Sequence, residues 1–192
     1  MEPLDVVQTI GAQRWGMALM AVLVWVGICL RATYRYRNSN NYAEAPLLVA
    51  FASQTGTAEG LAKATVTQIK DLAGDDRSVN LSALGSIKRN DLQSTRRLLL
   101  IISTTGQGAA PDNARQFVQR FMQGSQNLTH LEYALLGLGD RRYKQFCGFA
   151  DSLDQWLSAQ GARRITITLR SDRKDPRTLT QWQQNIESIA QA

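Results

Sequence analysis

Hydroxyl-bearing and small residues cluster in three short segments, each directly after a run of apolar residues. The segments are residues 53–58 (SQTGTA), residues 103–108 (STTGQG) and residues 137–140 (GLGD), the last followed by Tyr143. In an open parallel sheet, such loops meet in the crevice outside the carboxyl ends of the strands. Hydroxyl groups and backbone N–H groups suit a phosphate, and a tyrosine suits a planar ring. The spacing therefore predicts one site for a phosphorylated planar ligand.

The glycine pattern narrows the class of nucleotide. A triphosphate-binding loop needs the sequence Gly-x-x-x-x-Gly-Lys-Ser/Thr, and residues 53–58 contain no lysine. A dinucleotide-binding loop needs Gly-x-Gly-x-x-Gly after the first strand. The two Gly-x-Gly sequences, at 106–108 and 137–139, have Pro111 and Arg142 in place of the third glycine, and both follow later strands. The first loop is therefore expected to hold the single phosphate of a mononucleotide.

Apolar runs that alternate with helical patterns must position these loops. Five strands are predicted at residues 47–52, 79–84, 98–102, 131–136 and 165–169. The intervening helices are predicted at residues 57–72, 87–92, 111–122, 148–160 and 179–190. Strands that alternate with helices indicate an α/β fold with a doubly wound parallel sheet.

An uncharged segment precedes these elements. Residues 15–30 read WGMALMAVLVWVGICL, and an extension to residues 13–32 makes them long enough to span a bilayer as one helix. A cleaved signal peptide competes with this interpretation, but Glu2 and Asp5 precede the run and no small-residue cleavage site follows it. A buried core helix is the second alternative.

The predicted domains follow from this segment. Residues 1–37 form the anchor, residues 38–45 a polar linker and residues 46–192 the globular domain. Arg31, Arg35 and Arg37 lie on the C-terminal side of the span. By the positive-inside rule, the chain is a single-pass membrane protein with its large domain on the cytoplasmic side.

Composition limits the partners of the globular domain. Four of the 22 Lys and Arg residues and two of the 16 Asp and Glu residues precede Asn38, which leaves a formal charge of +4 for the rest. The basic residues are scattered without interleaved aromatics, so no nucleic-acid partner is predicted. Two distant cysteines indicate a reducing compartment rather than a disulfide framework. No nucleophile triad or metal-ligand cluster is visible, so no catalytic or metal-binding residue is predicted.

The three loop sequences, taken in order, resemble the FMN-binding loops of flavodoxins. The match runs from about Pro46 to the C-terminus, and it is greatest with the FMN domains of diflavin reductases. Among these are the sulfite reductase flavoprotein subunit and the haem-monooxygenase reductase. The segment Gly-Gln-Gly-x-x-Pro-x-Asn resembles their Gly-Glu-Gly-x-x-Pro-x-Asn. The resemblance implies a flavodoxin-like, five-stranded parallel sheet in the order 2-1-3-4-5, with FMN as cofactor.

The resemblance also assigns the cofactor-binding residues. The first loop would bind the FMN phosphate, the second would pass under one face of the isoalloxazine, and the third would follow the pyrimidine edge. Tyr143 would stack on the ring, Phe146 and Cys147 would lie near it, and Asp172 corresponds loosely to an acidic position. Cys147 is expected to be a packing residue and not a redox thiol. The first and second loops contribute Ser53, Gln54, Thr55, Gly56, Thr57, Ala58, Ser103, Thr104, Thr105, Gly106, Gln107 and Gly108. The third contributes Leu138, Gly139 and Asp140.

The implied function is electron transfer by a membrane-tethered FMN module. Single electrons would come from an FAD/NADPH-dependent reductase, in a longer chain or a separate protein, and pass to a haem or other metalloprotein. The chain would then be a component of an NADPH-dependent oxidoreductase. Two alternatives remain: a flavodoxin-like interaction module without FMN, and an NAD(P)H:quinone reductase of related fold. Flavodoxin-type domains are usually acidic and dock on basic partners, whereas this domain is mildly basic.

Overall fold

The computed structural model describes residues 25–27, 47–74 and 78–191. The chain divides into one unit of residues 1–43 and a second of residues 44–192. The predicted anchor, except for residues 25–27, and the predicted linker lie outside the described residues. In the part of the chain that the structure describes, no helix is both long and apolar enough to cross a bilayer.

The second unit is built on a parallel sheet. Its strands are β1 (Leu47–Ala52), β2 (Val79–Ala83), β3 (Arg97–Ser103), β4 (Glu132–Gly139), β5 (Arg163–Arg164) and β6 (Leu169–Asp172). The order is β2-β1-β3-β4, and both β5 and β6 pair with the outer side of β4. Every pairing is parallel. The predicted order 2-1-3-4-5 is therefore confirmed, with the fifth position shared by two short strands.

Among the described residues of this unit, five helices flank the sheet. They are α1 (Thr57–Ala73), α2 (Arg89–Ser94), α3 (Arg115–Phe117), α4 (Gly148–Ala159) and α5 (Pro176–Gln191). A 3-10 turn (Asp112–Ala114) leads into α3, and a π turn (Val118–Met122) continues it. A further 3-10 turn (Leu84–Ser86) follows β2.

Alternate residues of the central strands point to two separate cores. On one face, the even-numbered residues of β1 and β3 pack with the aromatic group Phe117, Phe121 and Trp156. The ring centroids of Phe117 and Phe121 are 4.9 Å apart, and those of Phe117 and Trp156 are 5.6 Å apart. On the other face, the odd-numbered residues pack against α1 and α5, and Trp182 Nε1 donates to Thr65 Oγ1 between these helices. Burial on both faces explains the unbroken apolar runs of β1 and β3.

The predicted fifth strand, residues 165–169, is wrong in its position. Arg164 lies beside Tyr133 and Leu169 lies beside Leu136, so the edge carries two more residues than the stretch of β4 it accompanies. The extra length bulges outward, and Ile167 is 68% exposed. An edge strand has one neighbour only, so it accommodates a bulge that a central strand would not. The alternation of Ile and Thr indicated a strand but could not indicate this break.

Candidate functional site

The first loop joins β1 to α1, and the residue before that helix provides no side-chain cap. Gly56 precedes α1 in the left-handed region, with φ 81° and ψ −8°, and makes no capping hydrogen bond. Ser53 holds the loop from both sides, because its backbone N–H donates to Asn113 Oδ1 at 3.0 Å and its Oγ accepts from Ala58 N at 3.3 Å. The N–H of Ala58 is satisfied by Ser53, and the remaining first-turn N–H groups together with the helix dipole favour an anion at this position.

The second loop leaves β3 and turns back on itself. The N–H of Thr104 still donates to Leu138 O, which continues the sheet by one residue. Thr105 and Ala109 then close a tight turn with two backbone hydrogen bonds. Gly108 has φ +102°, and a Cβ there would lie 2.2 Å from Gln145 Oε1. Glycine is therefore required where the second loop approaches the third.

The third loop, which runs over residues 140–147 between β4 and α4, carries an ion pair and an exposed ring. The guanidinium of Arg142 donates to both carboxylate oxygens of Asp140, and this hydrogen bonding holds the pKa of Asp140 at about 2. The N–H of Tyr143 donates to Asp140 O, and the Tyr143 side chain is 48% exposed. An aromatic ring half exposed at a cavity can cover a planar ligand.

Cys147 ends the third loop as a buried residue with φ 57°. Its Sγ would lie 2.9 Å from a Cβ placed on Gly139. Burial raises the pKa of the Cys147 thiol to about 12, so the thiol is protonated at neutral pH. A buried, neutral thiol is a packing group and not a nucleophile.

The three loops meet around a cavity of about 350 Å³. Predicted site residues that line it are Gln54, Thr55, Thr57, Ser103, Thr104, Thr105, Gly106, Leu138, Gly139, Asp140, Tyr143 and Cys147. Predicted site residues that do not line it are Ser53, Gly56, Ala58, Gln107, Gly108, Phe146 and Asp172. The first three of these shape the first loop, and Gly108 permits the contact between the second and third loops.

Phe146 and Asp172 have structural roles beside the cavity. Phe146 packs against the core, and the guanidinium carbon of Arg141 lies 5.2 Å from its ring centroid. The carboxylate of Asp172 accepts the N–H of Arg141 at 3.1 Å and so ties the end of β6 to the third loop.

Three residues that line the cavity were not predicted from the sequence. Gln145 belongs to the third loop, and Arg173 and Lys174 follow β6 directly. The last two occupy the left-handed region, with φ 48° and φ 61°. Residues directly after a parallel strand lie at the same edge of the sheet as the other loops. Because the last strand was predicted to end at residue 169 and not at Asp172, Arg173 and Lys174 were not expected at this edge.

The residues present suit a flavin mononucleotide. The Oγ1 of Thr104, in the cavity wall, is buried and has no hydrogen-bond partner among the described residues. An orphaned buried hydroxyl costs free energy, which a polar ligand edge would recover. The start of α1 suits a phosphate, and Tyr143 supplies an aromatic surface for a ring.

Comparisons with known proteins agree with this site. The flavodoxin family profile matches residues 49–183. The sulfite reductase [NADPH] flavoprotein alpha-component of Vibrio cholerae is 34% identical over 149 residues, covering 77% of this chain and 24% of that protein. The Bacillus subtilis protein of the same name is 32% identical over 153 residues, covering 75% of this chain and 25% of its own. This chain thus spans about a quarter of the length of these relatives.

Solved structures show the same fold. The flavodoxin of Streptococcus pneumoniae TIGR4 superposes with a TM-score of 0.64 at 23% identity, and the match covers 76% of this chain and 98% of the flavodoxin. Oxidised flavodoxin 2 from Bacillus cereus superposes with a TM-score of 0.62 at 21% identity, covering 77% of this chain and 99% of that flavodoxin.

Proposed function

This chain belongs to the flavodoxin family, and we propose that it is a membrane-tethered electron-transfer module that passes electrons one at a time. Membership of the family agrees with the prediction of FMN as its cofactor. One observation carries the electron-transfer part of the proposal: the loops after β1, β3 and β4 converge on one cavity that joins the start of α1 to an aromatic ring. No side chain of this cavity needs to act as an acid, a base or a nucleophile.

The residues of the cavity bind and shield the cofactor. The hydroxyls of Thr55 and Thr57 and the first N–H groups of α1 would hold the phosphate. Thr104 and the backbone around Gly106 would contact the ring on one side, and Tyr143 would cover it on the other. FMN, when bound, supplies the redox chemistry, and the protein supplies position, exclusion of water and local charge.

Donor and acceptor follow from the relatives by analogy. The relatives are named as NADPH-dependent sulfite reductase flavoproteins, and this chain spans about a quarter of their length. We infer that electrons arrive from an FAD/NADPH-dependent reductase, in the same polypeptide or a separate one. The acceptor would be a haem protein or another metalloprotein.

The membrane tether rests on the sequence. Residues 13–32 would span the bilayer, residues 38–45 would form the linker, and the flavin domain would face the cytoplasm. The test compares the full chain with a variant that carries two arginines within residues 20–24. The full chain should sediment with membranes after an alkaline carbonate wash, and the variant should not. A full chain that the wash releases would refute the tether.

The cofactor test uses the full chain in a non-ionic detergent. The purified chain should show the absorbance of an oxidised flavin, or acquire it on titration with FMN, and it should accept electrons in two separate steps. Riboflavin lacks the phosphate and should bind at least roughly tenfold more weakly, because charge-assisted hydrogen bonds contribute about 1.5–3 kcal/mol each. A chain that stays colourless with excess FMN would favour the interaction module without FMN.

A further inference from the structure

Four exposed cationic residues lie in the two segments that border the cavity, and we name them the cationic rim. Arg141 and Lys144 belong to the third loop, and Lys144 lies between two residues that line the cavity. Arg173 and Lys174 follow β6 and themselves line the cavity. All four are solvent-exposed.

The neighbouring acidic residues leave this rim largely uncompensated. Asp140 is paired with Arg142 at 2.6 Å, and Asp151 is paired with Arg170 at 2.6 Å. Among the described residues, Arg141, Lys144 and Lys174 have no carboxylate within ion-pair distance. Arg173 makes a loose contact of 3.7 Å with Asp172. Asp175 follows Lys174 and lines the neighbouring depression with Asp172. Two carboxylates against four cations leave an excess of positive charge at the mouth.

The rim is continuous with a second depression in the surface. Arg141, Arg170 and Arg173 line that depression together with Asp172 and Asp175, and Arg173 lines the cavity as well. The cationic residues therefore extend from the cavity mouth across the ends of the third loop and β6, and they outnumber the carboxylates there. Tyr143, half exposed, lies at the same mouth.

We propose that the cationic rim docks an acidic surface of the protein that exchanges electrons with this domain. The proposal deepens the function proposed above and rests on it for the electron exchange. An acidic protein patch complements the rim and brings a redox centre to the cavity mouth. An anionic membrane seated on the rim would cover the mouth and block that exchange, which is why a protein is the favoured occupant.

The test uses one redox protein in two states of charge. Unmodified cytochrome c is basic, and succinylated cytochrome c carries the same haem on an acidic surface. The full chain, loaded with FMN and held in a non-ionic detergent, is reduced by light and mixed with each form. Binding of each form is measured separately without reduction, so this readout needs no flavin. Both measurements are made at about 10 mM and about 1 M salt, where the Debye length is about 30 Å and 3 Å.

The variants separate the rim from total charge. R173N/K174N removes two rim charges, and asparagine is among the side chains that best tolerate the left-handed region. K70Q/R96Q removes two charges at the opposite edge, since Lys70 lies in the last turn of α1 and Arg96 precedes β3. The matched pair has the same net charge.

The full chain should bind and reduce the succinylated form faster at low salt and lose this advantage at high salt. R173N/K174N should weaken binding of the succinylated form by about 3- to 30-fold, because exposed cations each contribute modestly. K70Q/R96Q should behave as the full chain. Equal loss in both variants, or preference for the basic form, would overturn the proposal.

Two further outcomes distinguish the causes of failure. If the unmodified chain does not bind FMN, the proposed function is refuted. The binding of succinylated cytochrome c would still test whether the cationic rim docks an acidic protein. Vesicles that contain phosphatidylserine form the remaining arm. If R173N/K174N loses vesicle binding but keeps its affinity for succinylated cytochrome c, the rim is a membrane surface and the proposal is wrong.

Discussion

Replacing Gly56 by alanine tests whether the start of α1 is shaped to receive a phosphate. Gly56 has φ +81°, and a Cβ there would contact nothing within 4 Å, so strain in the backbone is the only cost. The left-handed conformation costs an L-residue roughly 1–2 kcal/mol. Gly60 lies one turn along the same helix and also has no neighbour within 4 Å of a Cβ. Its replacement by alanine changes the unfolded chain in the same way without the strain.

The difference between G56A and G60A therefore isolates the strain. G60A should stabilise the domain by about 0.5–1 kcal/mol, as alanine does in a helix interior. G56A should fall below G60A by about 1–2 kcal/mol in the stability of the FMN-bound state. This total is the free energy of unfolding without ligand plus the binding free energy of FMN, both referred to the unfolded chain.

Measuring the free energy of unfolding and the binding free energy of FMN separately shows whether the first loop keeps its shape without ligand. If the loop keeps its shape without ligand, urea unfolding of the chain without FMN should show the whole difference in stability between G56A and G60A. If the loop relaxes, apo stability is unchanged and the affinity for FMN falls by about 5- to 30-fold. G56N should recover part of the loss, because asparagine adopts the left-handed region more readily. A total difference between G56A and G60A below about 0.5 kcal/mol would refute the geometry of the loop.

Three further predictions concern the third loop and its supports. Y143A should weaken FMN binding by about 2- to 12-fold while Y143F stays close to the parent, since stacking contributes about 0.5–1.5 kcal/mol and does not need the hydroxyl; equal loss in both would contradict stacking. Mass spectrometry of the Cys147 peptide should show no alkylation by iodoacetamide at pH 8, because the pKa of this thiol is about 12. The contribution of this thiol to the free energy of unfolding is present below pH 9 and is lost as the pH rises toward 12, because the thiol ionises first in the unfolded chain. Rapid alkylation of the native chain would show that the thiol is exposed. G139A places a Cβ 2.9 Å from Cys147 Sγ and should lower the free energy of unfolding in urea by about 1–3 kcal/mol. G124A is the control, because a Cβ there meets nothing within 4 Å. Equal effects of the two substitutions would mean that the third loop moves to accommodate the Cβ without cost.

The sequence was sufficient for the central strands and the first helix. Residues 47–52 and 98–102 are continuous apolar runs because both faces of β1 and β3 are buried. The buried face of α1, with Ala58, Ala62 and Ile69, follows the helical period. These patterns depend on burial alone, so a single sequence reveals them, and the loops that follow are placed with them.

The edge of the sheet could not be predicted in the same way. Residues 163–172 contain both exposed and buried positions, and two extra residues bulge between β5 and β6. The pairing with β4 decides where the strand breaks, and that pairing is a contact between distant residues. The error in the strand position also affected the predicted site. Arg173 and Lys174 line the cavity because β6 ends at Asp172, directly before them.

The distribution of charge over the surface could not be predicted from the sequence either, because it depends on which basic residues the fold pairs with carboxylates. Three of the five adjacent basic pairs in the sequence, those at 141–142, 163–164 and 173–174, have different surroundings in the fold. In the fold, Arg163 contacts Glu132, and Arg164 binds Asp154 at 2.8 Å, so the second pair is compensated. Arg142 is compensated by Asp140, whereas its neighbour Arg141 is not. A count of charges treats all six side chains alike, but an electrostatic field at a docking surface arises only from those that the fold leaves unmatched. The excess falls at the cavity mouth, where charge has the greatest effect on the approach of a redox partner.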